Sequence, residues 1–399
     1  DYAVTGVQTC ALPILYAPKI ANCVFPHIAL ADGEEVSIGD LRFKLMETPG
    51  HTPESCVYVV TDLERGEEPV LVFTGDTLLV GDVGRPDLFP SRETELAEKL
   101  YHSLKCLKEL PDHVEVYPAH GMGSLCGRAL SAKLWSTIGI EKRYNYALQH
   151  HDLASFKTDL LTNMPAAPDH FARCSEINRL GPVLTKTLTT PRPLSPANLE
   201  LEAEQGVVIL DTRPYLSYAS AHIPGSYSIS KNGSFATFAG WVLPPGEDLI
   251  LILEHESDLP RIRSMLYMVG VDQITGYLSG TIEGWINGGH AIDTIETISV
   301  SSLRAQLDEN PPLVLDTRAK SEWSKGHIAG TELAPTPDMR HLYAKWDTNT
   351  PVVVLCNTSN RSMTAASILK QKGFTRVINV VGGTTAWAAA GFSFVTEGV

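Results

Sequence analysis

Three residues with metal-binding side chains stand in one kind of place. His51 in "TPGHTPES" follows the strand-like run "LRFKLME", Asp76 follows "VLVFTG", and His120 follows "VEVYPA". A lone loop histidine is most often satisfied by backbone. Three such residues at the C-terminal ends of three strands are different, because loops from one sheet edge converge on one point. Imidazole and carboxylate suit zinc or ferrous iron, and two histidines with one carboxylate and open positions suit oxygen-activating iron. A second chemistry lies near the C-terminus, where Cys356 ends the apolar run "PVVVL" and opens "CNTSNRS" before a helix expected to start near Ser362. Such a loop turns backbone N–H groups toward the sulfur, and the helix N-terminus adds positive potential, so a thiolate is favoured. Arg361 can add charge and orient a sulfur donor. A buried core cysteine would be followed by apolar residues, so the polar loop points to a nucleophile. Cys126 in "GSLCG" reads equally as a small buried residue or a reactive thiol. Arg85 and Asp87 in "GRPD" either brace their loop or offer the arginine to a substrate carboxylate.

The elements that must position these residues fall into three blocks. Residues 15 to about 135 read as short strands ("GEEVSIGD", "ESCVYVVTD", "PVLVFTGD", "HVEVYPAH") with one inserted helix, "RETELAEKLYHSLKCLKEL". Residues 136 to 180 look helical. Then comes an internal repeat: "VVILDTRPYLSYASAHIPGS" (207–226) and "PLVLDTRAKSEWSKGHIAGT" (312–331) share an apolar strand, Asp-Thr-Arg and His-Ile-x-Gly at equal spacing. Each copy alternates strand and helix, the pattern of a parallel α/β sheet. The Pro- and Thr-rich "TKTLTTPRPLSPANL" (185–199) reads as the linker into the first copy, and "HAIDTIETIS" as the join between copies. The expected domains are 15–185, 197–290 and 297–399. Residues 1–14, "DYAVTGVQTCALPI", lack periodicity, resemble translated adapter sequence and are set aside as a non-native segment.

At 399 residues the chain is long enough for two or three domains. A formal charge of −14 without an acidic tail or basic stripe argues against nucleic acid and anionic membrane as partners. Seven scattered cysteines form no disulfide framework, which points to a reducing cytoplasm. No run approaches the ~20 apolar residues of a membrane span.

"TPGHTPES", "FTGDTLLVGDVGRPDL" and "YPAHGMGSLCG" resemble the later motifs of the metallo-β-lactamase fold, most closely its persulfide dioxygenase branch, over about residues 15–180. The resemblance implies an αββα sandwich, incomplete at its N-terminus, and one Fe(II) per chain with His51 and Asp76 among its ligands. The remaining histidine of the family belongs to a His-x-His-x-Asp-His motif that this sequence does not contain. In the dioxygenase branch the histidine matching His120 stands beside the metal; in the binuclear zinc hydrolases of the glyoxalase II type it is a direct ligand. "DTR", "GHIAG", the Cys-x4-Arg loop and "GGTTAW" resemble rhodanese domains, and the repeat match covers about 197–399. This resemblance implies that Cys356 carries sulfane sulfur, that Arg361 closes its loop, and that Asp316, Arg318 and His327 brace the fold. Family loops often have Gly where Ser359 stands. The first copy has no cysteine between Cys174 and Cys356, its aligned position falling at Leu253 or Glu254, so it is expected to be catalytically silent.

The whole resembles an N-terminally truncated fusion enzyme of bacterial sulfide detoxification: an iron dioxygenase domain oxidising a low-molecular-weight thiol persulfide with O2 to sulfite, coupled to a sulfurtransferase working on persulfide and thiosulfate. A zinc thioester hydrolase fused to rhodanese domains is the alternative. A metal-free first domain beside a working sulfurtransferase is a third reading. The carrier thiol and the oligomeric state, a homo-oligomer included, stay open.

Overall fold

A computed structural model describes residues 14–396, apart from 123, 129, 163 and 165. Residues 1–13, most of the segment set aside above, lie outside the described residues. The described residues form two compact units, 14–167 with 171–182, and 168–170 with 183–396.

The first unit is built on strands β1 (Glu35–Ile38), β2 (Leu41–Glu47), β3 (Cys56–Asp62), β4 (Pro69–Gly75), β5 (Glu115–Pro118) and β6 (Ser136–Thr137), hydrogen-bonded in the order β6-β5-β4-β3-β2-β1. All neighbours are antiparallel except β4 and β5. A parallel pair needs a crossover, and helix α1 (Glu93–Lys108) lies in that connection. Leu96, Ala97, Leu100, Tyr101, Leu104 and Leu107 recur at helical spacing and are buried. Ala97, Leu100, Tyr101, Leu104 and Leu107 pack with Val57, Val59, Val72 and Val116 of the sheet. Glu93 and Glu95 in the first turn and Lys105 and Lys108 in the last complement the helix dipole.

The second unit holds the two repeat copies, each with a five-stranded parallel sheet. In the first copy β7 (Arg192–Leu194), β8 (Val208–Asp211), β9 (Tyr227–Ser228), β10 (Leu249–Ile252) and β11 (Ile274–Leu278) take the order β7-β11-β10-β8-β9. In the second, β12 (Glu296–Ile298), β13 (Leu313–Asp316), β14 (Thr331–Leu333), β15 (Val352–Leu355) and β16 (Val377–Val380) take the matching order β12-β16-β15-β13-β14. The central strands "LILI" and "VVVL" are buried at every position, as parallel strands covered on both faces must be.

Two segments read as connectors are partly structural. Residues 192–194 of the linker pair with β11, and residues 296–298 of the join pair with β16, so each copy recruits its edge strand from the chain before it. Pro193 shows why this was obscure: proline is tolerated on an edge strand but reads as a strand breaker. One hydrophobic core runs through both copies, from Leu210, Leu251 and Phe235 (helix α2, Phe235–Val242) to Leu315, Val354 and Ala366 (helix α3, Asn360–Gln371). Helix α3 thus begins two residues earlier than expected. Ser359 adopts a left-handed φ of +75° at its N-cap, which turns the chain sharply into the helix.

Candidate functional site

In the first unit, loop 48–55 presents His51 inward. The hydroxyls of Thr48 and Thr77 meet at 2.8 Å, tying this loop to the one after β4, and Ser103 of α1 donates to the Pro49 carbonyl at 2.8 Å. A side chain at Gly50 would collide with Leu100, and one at Gly84 with the Asp76 carbonyl and the His51 ring. Both glycines are there because backbone must approach this closely. The Nδ1 of His51 lies 2.8 Å from the Arg85 carbonyl oxygen. A carbonyl only accepts, so Nδ1 carries the proton and the Nε2 lone pair faces the site, the arrangement that metal-ligating histidines use.

That Nε2 stands 3.5 Å from Asp76 Oδ2, and the ligand atoms of His51, Asp76 and Cys126 all fall within 4.8 Å of one another. The other Asp76 oxygen, Oδ1, accepts from His120 Nδ1 at 2.6 Å. The structure therefore brings His51 and Asp76 together and places His120 against the far side of the carboxylate, half exposed. Cys126 enters the same cluster. Its carbonyl accepts from the Arg85 N–H at 2.9 Å, and its own N–H donates to Ser124 Oγ. The only sequence signal for this was that it follows His120 by six residues. Arg85 is fully buried, with Nε and Nη2 on the two Asp87 oxygens at 2.6 and 2.7 Å and Nη1 on the Leu125 carbonyl. Its guanidinium binds the 85–87 loop to the 125–126 loop that carries the thiol.

The electrostatics suit metal binding. Burial opposes ionisation of the Cys126 thiol, but its interactions with the neighbouring His120 and His51 outweigh it and bring the thiol down to about 6. The hydrogen bond to Asp76, with support from Cys126, lifts His120 to about 10. Burial lowers His51, yet Cys126, Asp76 and the Arg85 carbonyl leave it raised. Imidazole, carboxylate and thiolate donors that are held by their neighbours and close enough to share one ion fit a metal of the zinc or iron kind.

In the second repeat copy Cys356 follows β15 and is 1% exposed. The Ser359 N–H donates to its sulfur at 3.1 Å, and Ser362 Oγ lies 3.5 Å away. Ser359 Oγ donates to the Val380 carbonyl and accepts from the Gly382 N–H, which holds the strained turn. A side chain at Gly383 would strike the Cys356 carbonyl. Arg361 is held by Glu322: Nη1 and Nη2 grip its carboxylate at 2.5 and 2.8 Å, and Asn357 donates to the same carboxylate. Burial would raise Glu322, but Arg361 prevails and holds it at about 2. The Arg361–Glu322 pair was not foreseen, although Glu322 stands in "KSEWSKGH" between two quoted motifs.

Asp316 and Arg318 form a buried pair at 2.7 Å, Arg318 reaches the Gly326 carbonyl, and His327 stacks on Trp323 at 3.5 Å. The first copy repeats all three contacts with Asp211–Arg213, Ala221 and His222 on Tyr218. Ile252 pairs with Asp211 as Leu355 pairs with Asp316, so the residue matching Cys356 is Leu253, which is fully buried.

Comparison with known proteins fits this division. The metallo-beta-lactamase superfamily matches residues 13–120, and the rhodanese-like domain matches twice, at 195–287 and 299–390. A solved structure described as a metallo-beta-lactamase from Staphylococcus aureus subsp. aureus COL is 31% identical, with a TM-score of 0.55, over 63% of this chain and 70% of that one. A probable metallo-hydrolase of Burkholderia pseudomallei and a hydroxyacylglutathione hydrolase of Tolumonas auensis are each 33% identical over 34% of this chain. The match covers 47% and 59% of those proteins, so the chain spans about half the length of these curated relatives. The thiosulfate sulfurtransferase GlpE of Pseudoalteromonas translucida is 31% identical over 23% of this chain and 89% of its own length. No described helix is long and apolar enough to cross a membrane. With a metal-binding fold in front and the strand, brace and cysteine loop of a sulfurtransferase behind, the chain belongs to the proteins that join a metallo-beta-lactamase superfamily domain to two rhodanese-like domains.

Proposed function

We propose that the first domain is a persulfide dioxygenase, in which His51 and Asp76 hold one ferrous iron and a low-molecular-weight thiol persulfide is oxidised to sulfite, and that Cys356 carries sulfane sulfur among thiols, sulfite and thiosulfate. The observation that supports this best is the 3.5 Å approach of His51 Nε2 to Asp76 Oδ2, in a chain that also cradles a cysteine sulfur in backbone and hydroxyl donors. Bound iron supplies activation of O2 beside the persulfide. His51 keeps its proton on Nδ1, where the Arg85 carbonyl takes it, and leaves Nε2 to ligate. His120 donates to Asp76 and fixes which carboxylate oxygen faces the site. Arg85 and Asp87 hold the two loops at their spacing. At the second centre the Ser359 N–H and the start of α3 stabilise negative charge on Cys356, and Arg361 with Glu322 keeps the loop closed.

One observation favours a second reading. Cys126 adds a soft thiolate to the donor set, which suits zinc and a thioester hydrolase, and hydroxyacylglutathione hydrolases are among the similar proteins. Loading the purified chain with ferrous iron and zinc in competition, then measuring bound metal and both activities, separates the two. Iron with persulfide-dependent O2 uptake supports the dioxygenase. Zinc with thioester cleavage supports the hydrolase, and absence of either metal removes both and leaves Cys356 as the working centre.

A further inference from the structure

The wall facing the Cys356 loop, residues 357–361, is built by the copy that has no nucleophile. A cavity of about 350 Å³ lies over the cysteine loop, lined on one side by Asn357 and Arg361 and on the other by Asn232, Ser234, Phe235 and Phe238 of the first copy. This wall is anchored. The Ser228 carbonyl, at the end of β9 just before it, accepts from Thr364 Oγ1 of α3 at 2.6 Å, and the Ser228 N–H donates to Ser367 Oγ at 3.0 Å. Phe235 belongs to the core that both copies share.

No side chain lining the cavity, among the described residues, carries an unpaired charge. Among the described residues that line it Arg361 is the only cation, and both its terminal nitrogens are on Glu322. Neighbouring Lys231 is turned to Glu254 and Asp258, each at 2.7 Å. What remains is amide, hydroxyl and aromatic surface in a volume within the range, about 300–1,000 Å³, that holds small organic ligands. Thiosulfate needs the opposite. It enters as a dianion and leaves sulfite, another dianion, and a site without free positive charge does not replace the water such ions lose.

Resting on the reading of Cys356 as a sulfur carrier, we infer that the silent copy selects the donor: its wall admits organic persulfides whose carrier bears amides and apolar carbon, and disfavours thiosulfate. In the transfer step the Cys356 thiolate attacks the outer sulfur of R–S–S–H. The S–S bond to the carrier breaks, the electron pair leaves on R–S⁻, and the proton passes from the transferred sulfur to that thiolate. The products are Cys356–S–S⁻ and R–SH, with no net oxidation.

The test is single-turnover loading of Cys356 in the full chain, read by mass spectrometry of the peptide that contains it, with glutathione persulfide and with thiosulfate. Each rate is divided by that donor's rate with free cysteine. The expected normalised ratio favours glutathione persulfide by at least about tenfold. Asn232→Lys, at an exposed position on the wall, places a cation in the cavity and shifts the ratio toward thiosulfate by about tenfold. Phe238→Ala shifts it the same way by removing apolar contact from the organic donor. A ratio at or below one, or a ratio unmoved by both variants, overturns the inference while leaving Cys356 a carrier. Loading from neither donor overturns the carrier reading and this inference with it.

Discussion

The two rhodanese copies share a strand order and a buried brace but differ at the end of one strand. Where the second copy has Cys356, Arg361 and Glu322, equal spacing gives the first Leu253, Asp258 and Ser217. The nucleophile became a buried leucine, and the cation five residues later became an acid that now holds Lys231 together with Glu254. The fold accommodates this because Leu253 joins the continuous core, while the Asp211–Arg213 pair and His222 on Tyr218 lie outside the loop. In this architecture one position, at the end of the central strand, carries the nucleophile in one copy and core packing in the other, while the buried brace is common to both.

The comparison is sharpened most by changing the nucleophile. Cys356→Ser is expected to reduce sulfur uptake by the whole chain to background, and Leu253→Cys to install none in the first copy, since Glu254, Glu256 and Asp258 surround that position with negative charge. Sulfur found by mass spectrometry on a cysteine at 253 would show that loop charge is not what silences this copy. Next in size are Asp211→Ala and Asp316→Ala. Each leaves a buried arginine without its partner and should cost about 3–5 kcal/mol, measured by urea denaturation. A large cost in only one copy would break the equivalence of the two braces.

Arg361→Lys keeps the charge but loses the two-pronged grip on Glu322. Loss of a charge-assisted contact worth about 1.5–3 kcal/mol corresponds to about 10- to 100-fold slower loading of Cys356, and Asp258→Asn should leave that rate unchanged. The same pair has a pH signature. Glu322 titrates at about 2 in the folded chain against 4.5 ordinarily, so its contribution is fully present above pH 4.5 and disappears as pH falls through about 2. The stability difference between the native chain and Glu322→Gln should therefore be constant from neutral pH to about 5 and shrink below 4.5. A difference that shrinks near neutrality would mean another group is responsible. The smallest effect belongs to Ser359→Gly. Relief of the left-handed backbone, about 1 kcal/mol, opposes loss of the hydrogen bonds to Val380 and Gly382, leaving a net change under about 1 kcal/mol in thermal denaturation.

Much of this molecule was legible from one-dimensional pattern. The repeat of Asp-Thr-Arg and His-Ile-x-Gly announced two like domains, and the apolar runs before Asp76, His120 and Cys356 announced strands with chemistry at their ends. The edge strands at 192–194 and 296–298 were hidden, because three residues beside prolines or polar neighbours carry no period and become strands only when a sheet edge offers hydrogen bonds. The start of α3 was misplaced because a serine in a left-handed conformation is not a residue-level preference.

Residue types and their order determined which side chains could ligate, attack or brace, since those capacities are properties of functional groups and of the strands that precede them. Only the tertiary structure decided that Cys126 joins His51 and Asp76, that Arg361 pairs with Glu322, and that the silent copy walls the cavity beside the Cys356 loop. Each of these depends on distances between loops far apart in the chain, and such distances are set by the packing of sheets and helices, which no local sequence window contains.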